Sequence, residues 1–152
     1  MEDHQLCVAL SAFSSEVRES SVKRFRLVRP EHRLWRQRQD LLSFVDVLKH
    51  LVDADHWLFD VLDGMSASSG VTISSGEADA QAWDTLLREF IQLGTERCRR
   101  IDEFTKSDFS QRQFDLGKRG LVSLSNLILR FNIDHEIHHR GALQLSLRLL
   151  YG

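Results

Sequence analysis

The sequence predicts an all-α domain, a four-helix bundle. Three observations carry the prediction. There is a single proline, and turn signals are few. Four long stretches space their apolar residues three and four apart, the mark of a helix with one buried face. No internal repeat divides the 152 residues, a length that suits one domain (1–152) with a core of its own.

The elements follow in order. Leu6, Leu10, Phe13, Val17 and Phe25 set a first helix from about Asp3 to Val28, stopped by Pro30. Glu31 to Leu42 is charged and irregular, with Trp35 tucked against the bundle. Ser43 is the expected N-cap of the second helix, with Asp46 three residues on completing a capping-box-like pair. Phe44, Val47, Leu48, Leu51, Ala54, Leu58, Val61 and Leu62 give that helix its apolar face, and Gly64 ends it. Asp63 to Gly76 is rich in Ser and Gly and reads as a mobile loop within the domain, not a boundary.

A third helix runs from about Ala78 to Lys106, with the stripe Trp83, Leu86, Leu87, Phe90, Leu93, Arg97, Ile101 and Phe104. Ser107 to Val122 holds Gly117 and Gly120 and reads as a connection with one short turn. The fourth helix covers about Leu124 to Leu150, with Leu124, Leu127, Ile128, Phe131, His135, Ala142, Leu143 and Leu149 inward. Gly141 costs that helix about 1 kcal/mol relative to alanine. Close approach of another helix is the expected reason for it.

Composition narrows the function. Lys+Arg 20 against Asp+Glu 22 leaves a formal net charge of -2, with no general pull toward nucleic acid or an anionic membrane. Cys7 and Cys98 lie far apart in helical stretches and read as buried thiols, which suits a reducing compartment. The N-terminus shows no secretory pattern, and no apolar run is long enough to span a bilayer. A soluble cytoplasmic protein is the expectation.

The chemistry gathers in the fourth helix. His135, His138 and His139 fall within five residues. Residues four apart stack on one helix face, so His135 and His139 can aim two imidazoles at one metal ion. His50 is the best third donor. It sits in the stripe Val47, His50, Ala54, Trp57, Val61, at the edge of the second helix's apolar face. Asp46 and Asp53 are placed to accept the proton on its other ring nitrogen. His138 lies about sixty degrees round the helix from His135 and faces a neighbouring helix or solvent. His56 points elsewhere, and His4 and His32 read as surface residues. The segment 135–139 also matches the H-E-x-x-H pattern of zinc proteases, with Glu136 as general base. Only thirteen residues follow His139 and none suits as a downstream ligand, so that reading ranks low.

These residues carry a family resemblance. His135-Glu-Ile-His-His139-Arg140-Gly141, continuing to Leu147-Arg148, resembles the H-x-x-x-H-R-G-Q-L signature of the DinB/YfiT-like superfamily. The segment Val47 to Trp57 around His50 is similar to that family's first ligand segment. The resemblance covers the chain from about Leu34 onward, with the first helix fitting by position. It implies a four-helix bundle with a three-histidine divalent metal site, zinc or nickel, formed by His50, His135 and His139. It also implies a frequent homodimer. In some members it implies a thiol-dependent transferase or isomerase that uses a low-molecular-weight thiol, and in others a hydrolase. A small-molecule substrate follows, with Arg140 or Arg148 as candidates to hold the thiol's carboxylates. Two positions depart from the pattern. Ala142 stands where glutamine is usual, and Ser146 where a tyrosine is. The competing expectation is a non-catalytic bundle whose metal is structural or absent and whose role is association with a partner.

Overall fold

The computed structural model describes residues 2–65 and 80–152, apart from the side chains of 2–4 and 80. Most of the serine- and glycine-rich loop expected at 63–76, and the expected start of the third helix at Ala78, lie outside the described residues. Among these residues the architecture is an all-α bundle with one small hairpin. The helices are α1 (Glu2–Phe25), α2 (Phe44–Leu62), α3 (Trp83–Glu103), α4 (Lys106–Gln111), α5 (Leu124–Ile128) and α6 (Asp134–Tyr151). Helix α1 packs on α3 and α6, and α2 packs on the same two. Phe25 joins α1 to α3 through edge-to-face contacts with Trp83 and Phe90. No helix among the described residues is long and apolar enough to cross a membrane.

Helix α2 begins where its sequence says it should. The Ser43 side chain accepts from the backbone N–H of Asp46, and the Asp46 carboxylate accepts from that of Ser43. Gly64, at φ +83°, closes the other end. Trp35 stacks on Phe44 and fastens the irregular segment before α2 to the bundle.

Helix α1 turns a different face inward from the one its apolar spacing suggests. Val17 and Phe25 are buried, but Leu6 and Phe13 are 45% and 41% exposed. Ser14, Arg18 and Ser21 take the interior positions instead. The inward face of α1 therefore combines apolar residues, Cys7, Val17, Val22 and Phe25, with a hydrogen-bonding set.

Two further differences bear on the site. The stretch after α3 holds more than a turn. A second capping box, between Thr105 and Asp108, starts α4. Strands β1 (Gln113–Asp115) and β2 (Leu121–Ser123) then pair antiparallel with Phe114 opposite Val122. Gly117 and Gly120, both at positive φ, turn that hairpin and hold Arg119 at its tip. The fourth long helix is also interrupted. Between α5 and α6, Leu129–Ile133 forms a π turn, closed by the Asp134 N–H on the Leu129 carbonyl. One extra residue in that turn rotates everything after it by about 100°. Asn132, Glu136, Leu143 and Leu147 consequently face the core, while Ala142 and Leu149, expected inward, are exposed. Gly141 has open space where a Cβ would stand, so no helix approaches it.

Candidate metal centre

Helix α2 contributes His50, and the first two turns of α6 contribute His135 and His139. The three imidazoles converge. The Nε2 of His50 lies 2.9 Å from that of His135, and the Nε2 of His139 lies 3.1 Å from the same atom. One ligating nitrogen from each residue lies within 4.8 Å of the others. Their ring centroids are 4.6–4.8 Å apart with steep interplanar angles, so the rings radiate from a common point. His50 is buried, and the other two are half-buried.

Burial keeps these rings neutral. It pushes His139 down to about 3 and His135 down to about 4, and the neighbouring imidazoles push the same way. Burial also lowers His50, against the pull of Asp53. Neutral imidazoles have one N–H and one lone pair each. Three nitrogens facing each other cannot all be satisfied by protons passed among themselves. A shared cation satisfies all three.

The spacing fits such an ion. Imidazole nitrogens at 2.0–2.1 Å from a tetrahedral zinc are about 3.3 Å apart, within a few tenths of an ångström of the two separations from His135, 2.9 and 3.1 Å. The second ring nitrogen of His50 does not find the partner expected for it. Asp46 is held in its capping box and by Arg36 at 2.7 Å, and Asp53 pairs with Lys49 at 2.6 Å. The Nδ1 of His50 is buried without a hydrogen-bond partner.

Glu136 follows His135 in sequence but serves a different cluster. It is buried against α1 and α3. Its Oε1 accepts from Arg18 Nε at 3.0 Å, Arg18 Nη2 at 2.8 Å and Arg97 Nη1 at 3.0 Å. Its Oε2 accepts from Ser21 at 2.8 Å. Burial alone would raise its carboxyl, but Arg18 and Arg97 outweigh that and hold it below the usual carboxylate range. Asp55 of α2 completes the cluster with Arg18 at 2.8 Å, and Asn132 bridges Asp55 and Arg97. With both oxygens engaged and no solvent access, Glu136 is not placed to be a general base. The zinc-protease reading of 135–139 loses its base with it.

Two cavities lie against the histidines. One, of about 510 Å³, opens over His50, His135 and His139 and is walled by Trp57, Phe131, Arg119 and Arg130. No carboxylate lines it among the described residues. The other, of about 220 Å³, is a mainly apolar slot between α6 and the segment leading into α2. His138 and His139 line both. A larger groove of about 680 Å³ lies between α1 and α3, but it contains no histidine and no convergent ligands.

Arg140 is half-buried and Arg148 exposed, and neither lines either cavity. The arginines at the histidine cleft are Arg119, from the hairpin, and Arg130, from the π turn. Sequence spacing gave no sign of them, because the turn and the hairpin that carry them were unseen. His138 is exposed beside His139. His56 pairs with Glu89 of α3 at 2.5 Å, and His32 bonds the Tyr151 hydroxyl at 2.8 Å. Neither belongs to the trio.

Fold and site together define a helical bundle that gathers three neutral imidazoles beneath an open cleft. Comparison with protein-family models matches the DinB superfamily over residues 15–143, and the chain belongs to that superfamily. The match reaches further into α1 than the sequence resemblance did. No curated protein and no solved structure matches the chain.

Proposed function

We propose that this chain is a metal-dependent enzyme in which His50, His135 and His139 hold one divalent transition-metal ion, zinc or nickel. The supporting observation is the convergence of three neutral ring nitrogens at ligand spacing under a cleft. When bound, such an ion supplies Lewis acidity with a coordination position left open for substrate, the pattern of catalytic rather than structural sites. Helices α2 and α6 carry the donor set, and Trp57 and Phe131, with ring centres 6.4 Å apart, form part of the cleft wall.

The lining of the cleft bears on the reaction class. Hydrolysis calls for a base to take a proton from water. No carboxylate lines the cleft among the described residues, Glu136 is locked away, and the exposed His138 is the one side chain outside the trio placed to serve as a base. Group transfer from a low-molecular-weight thiol brings its own nucleophile and suits the cleft better. The same lack favours, as second reading, a bundle that binds metal without catalysis. Exposed Leu145 and Leu149 on α6, with Leu6 and Phe13 on α1, support association as a homodimer. Light scattering then returns twice 17.6 kDa, whereas a single 17.6 kDa species rules the dimer out.

The test is a screen of low-molecular-weight thiols against monochlorobimane with zinc- or nickel-loaded protein. Turnover that disappears in His50→Ala supports the enzyme. Bound metal without turnover above that variant replaces it with the non-catalytic bundle.

A further inference from the structure

The two cavities that share His138 and His139 differ in chemistry. On the α2 side, Trp35, Leu41, Leu42, Phe44, Val47 and Leu143 make the slot a mainly apolar recess. Ala142 and Ser146 of α6 also line it, and their small side chains leave it open. A dry apolar cavity of roughly 150 Å³ takes up a benzene ring. The slot, at about 220 Å³, has room for an aryl or short branched alkyl group. On the far side of the histidines the character reverses. Arg119 and Arg130 flank the larger cleft, both exposed, and no carboxylate lines it among the described residues. The Arg119 guanidinium lies 5.5 Å from the centre of the Phe131 ring, which steadies it at the cleft's edge.

A ligand reaching across the histidines therefore meets cations at one end and hydrocarbon at the other. We propose that the substrate is a small organic anion with one apolar arm, its anionic head between Arg119 and Arg130 and its aryl or alkyl arm in the slot under Ala142. This deepens the metal-enzyme reading and rests on it, since it places the middle of the substrate over the three histidines. Planar guanidinium groups favour carboxylate, so the head is a carboxylate in the first instance. The arm gives selectivity, because burying its apolar surface adds to the head contacts that a shorter acid makes equally.

Tryptophan fluorescence reads the binding directly, with Trp35 in the slot and Trp57 in the cleft. The probes are 4-phenylbutanoate, its uncharged amide and acetate, titrated into metal-free and zinc-loaded protein. The acid is expected to bind about tenfold or more tighter than either comparator. Ala142→Phe fills the slot and removes the advantage over acetate. The double variant Arg119→Gln/Arg130→Gln removes the advantage over the amide. All three positions are exposed, and a far-ultraviolet circular dichroism spectrum matching the parent confirms the fold. Equal binding of acid and amide, indifference to the arm, no saturable binding, or an acid preference that survives the double arginine variant each overturns the proposal. Zinc uptake measured on the same samples separates the two failures. Protein that takes up zinc but shows no such preference defeats this inference alone, whereas protein that takes up none defeats the metal-enzyme reading beneath it.

Discussion

His135 and Glu136 are neighbours in sequence and stand at the centres of two opposite kinds of polar cluster. Around Glu136, two arginines, Asp55, Asn132, Ser14 and Ser21 form a network that is buried and closed. Two cations face two carboxylates, and Arg18 further stacks 3.8 Å from the Phe90 ring centre and donates to the Phe90 carbonyl at 2.6 Å. Around His135, three ring nitrogens face one another, and protons passed among them can satisfy only part of the set. A satisfied network specifies a fold, because each partner is needed by the others. A partly satisfied one, carried on two helices, is where the proposed metal ion binds. The π turn makes the contrast possible by setting the phase of α6, so that 136 faces the core while 135 and 139 face the cleft.

The contrast breaks most severely at Glu136. Glu136→Ala leaves Arg18 and Arg97 buried with one carboxylate between them. The expected cost is about 3–5 kcal/mol, read as a lower midpoint in urea. His50→Ala works in the reverse sense. It relieves a crowded set of ring nitrogens and changes metal-free stability little, but it abolishes stabilisation by zinc. That stabilisation reaches about 2.7 kcal/mol in the parent when free zinc is a hundred times its dissociation constant. Thermal melts with and without zinc read both effects.

Gly94 offers a finer probe of the closed network. A Cβ there would stand 2.6 Å from the Cγ of Arg18, whose guanidinium is pinned at its far end. Gly94→Ala is expected to cost about 1–3 kcal/mol through overpacking, despite alanine's better helix propensity.

The smallest effect is on pH. The unfolded imidazoles titrate near the ordinary 6.5, whereas His135 and His139 titrate near 4 and 3 in the folded chain. Between those values the unfolded state binds more protons, so metal-free protein loses stability as pH falls from about 6.5 toward 4. Both rings are partly open to solvent, which limits the loss to the order of a few degrees in Tm. Bound metal excludes those protons and should hold the zinc-loaded melt flat over more of that range.

The clustering of the three histidines was legible because it follows largely from helix geometry. Four-residue spacing aligned His135 with His139, and the Ser43 capping box set the phase of α2 that turns His50 inward. The closed network was not legible, since Ser14, Arg18 and Ser21 read as an outer face by every hydrophobic criterion. Only partners on other helices reveal why they are inside. Arg119 and Arg130 were hidden for a related reason. The hairpin tip and the π turn that place them depend on short irregular backbone, which apolar periodicity does not report. Gly141 misled in the opposite direction, suggesting a close helix contact where there is open space.

The central claim is that the open cluster holds a metal ion, and element-resolved mass spectrometry on the purified, unsupplemented protein tests it most directly. The account predicts about one equivalent of transition metal per parent chain and background levels in His50→Ala. A parent protein that carries none, and takes up neither zinc nor nickel when incubated with them, would contradict it.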